Sequence, residues 1–250
     1  MKIGVQFQPQ ATTVAEMRAA WRAADALGVD SLWVWDHFYP LSGDPDGSHF
    51  EAYTLLAAMA ADTSHAQIGA LVACYSYRNP HLLADMSRTI DHISGGRFIL
   101  GIGSGWFDRD YKDYGYEFGT AVGRLKRLEA GLPVIKERLR KLNPGPVNGT
   151  MPLMIGGSGE KFTLRLVAEH ATMSNFFGPV ENVQHKNTVL DEWCRKIGRD
   201  PAEIERTVSV NPDDLENAGA FIEAGADHLI VMLGSPFDLT KVENFISSRE

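Results

Sequence analysis

The 250-residue chain is 44% apolar and 22% charged, the balance of an ordinary globular protein, and its length suits one large folded unit. A formal net charge of -8 with no basic tract argues against a nucleic-acid partner, because phosphate neutralisation dominates that kind of affinity. No apolar run approaches the ~18 residues of a membrane span, and the chain enters a strand-like Lys2-Ile3-Gly4-Val5 without a signal peptide, so a cytoplasmic protein with no membrane partner is expected.

Short continuous apolar runs alternate with helical periodicity along the chain. Residues 3–7 read as a buried strand. Residues 14–27 follow as a helix with Met17, Trp21, Ala24 and Leu27 on one face, stopped by Gly28. A second strand is expected at 31–36 and its helix at 51–63. A third strand spans 67–74, with its helix at 80–93, where Pro80 suits the first turn. The fourth strand, 97–103, precedes a long helix over 121–142 that Asn143-Pro144-Gly145-Pro146 ends. Strands at 152–156, 172–176, 205–210 and 226–233 then alternate with helices at 160–170, 180–197, 213–224 and 239–247. Eight strand–helix units imply a parallel sheet. At this length they predict an α/β fold, a single (β/α)8 TIM barrel over residues 1–250, in preference to an open doubly wound sheet. Catalytic groups of such barrels gather on the loops after the strands, here above all 38–50 and 105–120.

Four constellations fall at those strand ends. Asp36-His37 ends the second strand, where an imidazole can act as acid or base near neutral pH, or the pair can cap loop backbone. Gly101-Ile102-Gly103-Ser104-Gly105-Trp106 follows the fourth strand; its glycines suit either close approach of a ligand or a tight loop without one. Gly156-Gly157-Ser158-Gly159-Glu160-Lys161 leads into a helix. Backbone N–H groups there suit a phosphate, with charge from Lys161 or Arg165; a flexible turn is the alternative. Ala73-Cys74-Tyr75-Ser76 closes the third strand, and nothing in its composition demands a ligand. Cys74 and Cys194 stand far apart and read as free thiols. His49, His65, His81, His92, His170, His185 and His228 show no metal spacing, so no metal is expected.

Several segments, in this order, resemble the luciferase-like monooxygenase superfamily and, within it, the oxidoreductases that use the deazaflavin coenzyme F420. They are Ser31-Leu-Trp-Val-Trp-Asp36-His37-Phe38, Tyr77-Arg78-Asn79-Pro80-His81-Leu82-Leu83-Ala84, and Asp91-His92-Ile93-Ser94-Gly95-Gly96-Arg97-Phe98 with Leu100-Gly-Ile-Gly-Ser-Gly-Trp106-Phe107. The last is Ile155-Gly-Gly-Ser-Gly-Glu160-Lys161 running into Thr163-Leu-Arg-Leu-Val-Ala168. The resemblance implies that Asp36 contacts the deazaflavin ring and that His37 is the acid or base beside its reactive carbon. It places a non-prolyl cis peptide at Cys74-Tyr75, bulging against the ring. Gly103, Ser104, Gly105 and Trp106 would line the ring and ribityl chain, and Gly156, Gly157, Ser158 and Gly159 would cradle a phosphate.

The activity so implied is hydride transfer between F420 and a small organic substrate. An FMN-dependent monooxygenase and a cofactor-binding but catalytically weak relative are the alternatives. A homodimer is also implied. Two stretches are shorter than the family pattern, 141–152 and 210–213, which would leave the pocket wetter.

Overall fold

The computed structural model describes residues 1–248, so the last two positions of the expected 1–250 domain lie outside the described residues. Its strands are β1 (Lys2–Phe7), β2 (Ser31–Val34), β3 (Gln67–Ala70), β4 (Ala73–Cys74), β5 (Phe98–Gly103), β6 (Leu153–Gly156), β7 (Met173–Phe177), β8 (Glu205–Val210) and β9 (His228–Leu233). All pairings between them are parallel, in the order β3-β2-β1-β9-β8-β7-β6-β5-β4, and β3 also pairs with β5. That last pairing closes the sheet into the (β/α)8 barrel that the strand–helix alternation predicts.

The helices are α1 (Val14–Ala26), α2 (Ala52–Asp62), α3 (Pro80–Ile93), α4 (Asp108–Asp113), α5 (Ala121–Lys141), α6 (Thr163–His170), α7 (Val180–Ile197), α8 (Ala218–Glu223) and α9 (Thr240–Ser247). Their ends follow local chemistry. Thr13 and Glu16 form a reciprocal capping box on α1. Asn79 caps α3 and Pro80 fills its first position. α7 stops at Gly198, whose φ of 72° only glycine adopts cheaply. No helix among the described residues is long and apolar enough to cross a membrane.

Five expectations need adjustment. The second strand stops at Val34, so Asp36 and His37 stand beyond the sheet. The helix expected from residue 160 begins at Thr163, and the one expected at 213–224 is a 3-10 turn, Pro212–Asn217, followed by α8. The loop 105–120 holds the unforeseen α4. The third strand is broken into β3 and β4. Gly69 pairs with Ile99 and Ala73 with Ile102, four residues forward on one side against three on the other. The surplus residue makes a bulge at Leu71-Val72.

The barrel lumen is packed by Trp33, Leu71, Ile99, Met154, Met173 and Ile230. Gly69 makes room for the Trp33 ring, since a Cβ there would lie 2.6 Å from it. A second, larger core joins the outer strand faces to the helices, with Phe7, Trp21, Leu56, Phe98 and Phe176 among its buried side chains. At the base, His228 bridges Glu205 (2.8 Å) and Ser31 (2.9 Å), and the Trp33 indole donates to the same Ser31 hydroxyl. Ser31 and His228 are fully buried, so this Ser–His–Glu line is internal hydrogen-bond satisfaction for the lumen.

Candidate active site

Above the lumen, at the C-terminal ends of the strands, lies a cavity of about 470 Å³, the size range of small-molecule and cofactor sites. It gathers Asp36, His37, Cys74, Gly103, Ser104, Gly105, Trp106, Gly156 and Gly157, which fulfils the topological expectation that loops after different strands converge. Gln6, Asn175, Phe177 and Met232 also line it, and no local signal in the sequence marks them.

His37 is held by a residue the sequence analysis did not single out. Its Nδ1 lies 2.7 Å from Asp110 Oδ2. The same carboxylate accepts the Tyr77 hydroxyl at 2.8 Å and the Phe38 amide at 3.1 Å. Three donors converge on Asp110, which is fully buried. With Asp110 as acceptor, His37 Nδ1 carries the proton, and the lone pair of the neutral ring sits on Nε2. Burial, with Cys74 and Asp110 nearby, pushes the Tyr77 phenol well up, so it stays a donor. Trp35, Trp106 and Phe107 meet the imidazole edge-on, at centroid distances of 6.2, 5.7 and 5.6 Å. Asp110 lies on α4, whose short helical turn inside the 105–120 loop brings it back over the second strand's end.

Asp36 lines the cavity but spends its oxygens behind the wall. The Arg78 guanidinium binds it through two nitrogens, at 2.6 and 3.0 Å, and the Cys74 amide donates to Oδ2 at 2.9 Å. Arg78 also reaches Glu51 and lies 4.3 Å over the Tyr53 ring. Burial alone would depress the Arg78 pKa; the charge and hydrogen bonds of Asp36, with Tyr53 and Glu51, together more than offset this and raise it. Cys74 is itself buried, which pushes its thiol up to about 11, and its Sγ lies 3.1 Å from the Tyr111 hydroxyl. Tyr75 does not join the cavity. It packs on α5, where Gly131 leaves space that a Cβ would take from the Tyr75 ring.

The non-prolyl cis peptide expected at Cys74-Tyr75 is at Leu71-Val72 instead, within the bulge that splits the third strand. Gln6 on β1 donates to the Leu71 carbonyl at 2.8 Å from inside the barrel. The bulge drives the Val72 side chain across the cavity floor. A Cβ on Gly103 would lie 2.8 Å from Val72 Cγ2, and one on Gly156 would lie 2.8 Å from Val72 Cγ1. These glycines therefore make room for Val72, a role their sequence neighbourhood does not reveal.

At the β6 end, Gly156 and Gly157 line the cavity, while Ser158 and Gly159 lie beyond it, exposed, on the way to α6. No side chain caps the α6 N-terminus; the Leu164 amide donates to the Gly159 carbonyl at 3.0 Å, and the other first-turn N–H groups suit an anion. Lys161, exposed beside it, has no ion-pair partner among the described residues, whereas Arg165 is bound to Glu129 and Glu169. The parts fit a flat ring with a phosphate-bearing tail: a Val72 floor, a glycine-lined wall and an uncapped helix end. A smaller cavity of about 330 Å³ lies between α5 and the outer faces of β5 and β6, away from His37, with Leu132, Ile135 and Leu139 among its lining.

A luciferase-like monooxygenase family model matches residues 1–213. The chain belongs to that family. The F420-dependent glucose-6-phosphate dehydrogenase of Amycolatopsis mediterranei (strain U-32) is 35% identical to this luciferase-like protein over 116 residues, 46% of this chain and 34% of the relative. The chain spans about a third to a half of the length of the first curated relatives it matches. Among solved structures, an F420-dependent secondary alcohol dehydrogenase in complex with an F420-acetone adduct superposes with a TM-score of 0.86 at 16% identity, covering 98% of this chain and 97% of that one. The oxygenating constituent of 3,6-diketocamphane monooxygenase from Pseudomonas putida, in complex with FMN, gives a TM-score of 0.79 at 15% identity, covering 100% and 97%. Both share this chain's barrel fold.

Proposed function

We propose that this luciferase-like protein is a coenzyme F420-dependent oxidoreductase that moves hydride between the deazaflavin and a small organic substrate. The observation that carries the reading is His37, fixed through Nδ1 by buried Asp110 at a cavity floored by Val72. The F420 dependence named for the A. mediterranei relative and for the alcohol dehydrogenase neighbour supports the choice of cofactor. When bound, the deazaflavin supplies the carbon that carries the hydride.

The chain's own residues do the rest. Gly103, Ser104 and Gly105 would flank the ring, and Gly156, Gly157, Ser158 and Gly159 would lead its phosphate to the α6 N-terminus and Lys161. Asp36 acts through the Cys74 amide by fixing the wall. His37 Nε2 gives a proton to the substrate oxygen, or takes one from it, and Asp110 holds the imidazole in the required tautomer. Trp35, Trp106 and Phe107 keep water from that proton.

Titration of the purified protein into F420 tests this directly. Saturable quenching of deazaflavin fluorescence is expected, and no change at any protein concentration overturns the reading. The FMN-bound neighbour favours a second reading, a reduced-FMN monooxygenase. Oxygen uptake with reduced FMN, with no F420 quenching, would replace the first by the second. A cytoplasmic homodimer belongs to the same proposal: Leu82 and Ile93, about half exposed on α3, offer an apolar face, and light scattering reads the mass.

A further inference from the structure

Large aromatic side chains are normally covered, yet two of those lining the active-site cavity are open to solvent. Trp106, after β5, is 62% exposed, and Phe177, at the end of β7, is 59% exposed. They stand at or beyond the ends of two different strands around one mouth. Leu41 and Met232 continue the same rim with apolar surface. Exposed aromatic surface at a concave site marks where a ligand completes the packing.

Charge at this mouth is equally one-sided. The ionisable lining groups are Asp36, His37 and Cys74. Asp36 is neutralised by Arg78 from behind, and Cys74 holds its proton because burial raises its pKa. His37 is tied to Asp110. Of the nearby cations, Arg124 binds the carbonyls of Gly105 and Phe118, Arg109 binds Asp46 and the Pro45 carbonyl, and Lys161 stands outside the cavity lining, at the α6 end assigned to the cofactor's phosphate. An anionic substrate group would lose its water here without gaining a cation, at a cost that a neutral group avoids. The overall charge of -8 adds repulsion.

We infer that the substrate of this site is an uncharged, largely apolar organic molecule, aromatic or alicyclic. It packs against Trp106 and Phe177 and offers one carbonyl or hydroxyl oxygen to His37. This deepens the proposed function and rests on it for the chemistry, but not for the binding. The sugar phosphate named for the A. mediterranei relative falls outside this class. Phe177 is thereby a specificity residue for the substrate.

Isothermal titration of the wild-type protein with acetophenone and with 4-carboxyacetophenone, each with and without F420, tests it. The neutral ketone is expected to bind about tenfold or more tightly than its carboxylate analogue. Phe177→Ala should weaken acetophenone by about tenfold, as loss of one aromatic contact face does, while the thermal midpoint of this exposed position stays at the wild-type value. Equal or tighter binding of the carboxylate, undiminished acetophenone binding in Phe177→Ala, or no saturable acetophenone binding by wild type overturns the inference. Absence of F420 quenching alone would sink the cofactor assignment and leave the binding comparison readable without cofactor.

Discussion

His37 Nδ1 and Asp110 Oδ2 lie 2.7 Å apart although 73 positions separate them in the chain. The carboxylate is fully buried and takes two further donors, Tyr77 and the Phe38 amide, so it is an acceptor fixed from three directions. An imidazole so held has one nitrogen left for chemistry.

Asp110→Asn should therefore lower turnover roughly 10²- to 10⁴-fold, the range of general acid–base catalysis. F420 affinity should stay close to wild type, since Asp110 does not line the cavity. The same loss is expected for His37→Ala, and the double variant should be no worse than either single one. Steady-state kinetics with quenching titrations separate the two effects; additive losses would mean that the residues act independently.

The Val72 floor makes a steric prediction. Gly156→Ala places a Cβ 2.8 Å from Val72 Cγ1 and should destabilise the fold by about 1–3 kcal/mol, the usual range for overpacking, and weaken F420 binding. Val72→Ala in the same chain should recover much of the stability. Urea denaturation of the four members of the cycle reads the coupling, and none would be found if Val72 could simply step aside.

Asp36 and Arg78 form a buried, bidentate pair, with the Arg78 side chain 9% exposed. Asp36→Ala leaves that guanidinium with Glu51 alone, and a cost of about 3 kcal/mol is expected, as when one partner of a buried pair is removed. Arg78→Lys should not be neutral, because an ammonium cannot repeat the two-nitrogen contact. Thermal midpoints check both, and a wild-type midpoint for Asp36→Ala would show that the pair is not structural.

His49 gives a pH dependence. Burial, and then the neighbouring His37, lower its pKa to about 4, while Trp35 donates to its Nε2. Its ordinary value near 6.5 applies in the unfolded chain. Between these values the unfolded state binds the extra proton, so the contribution of His49 is fully present above about 6.5 and is lost as pH falls toward 4. His49→Gln, which keeps an acceptor but cannot titrate, should flatten this part of the stability profile. Urea midpoints at pH 7 and pH 5 for both proteins measure the difference.

Local sequence determined the elements and their order. Apolar period, Pro80 and Gly28 mark where strands and helices begin and end, and eight alternating units of this length close into a barrel. Asp36-His37 at a strand end was legible as a place for chemistry for the same local reason. Only the tertiary structure decided what each residue does there. Whether Asp36 faces a ligand depends on Arg78, 42 positions on, and the partner of His37 depends on how α4 folds back. The cis peptide lies at Leu71-Val72, within the one-residue surplus between β3–β4 and β5, and not at Cys74-Tyr75, and Val72 there gives Gly103 and Gly156 their steric purpose. Register and long-range pairing are properties of which strands become neighbours, and no window of sequence contains both sides of such a contact.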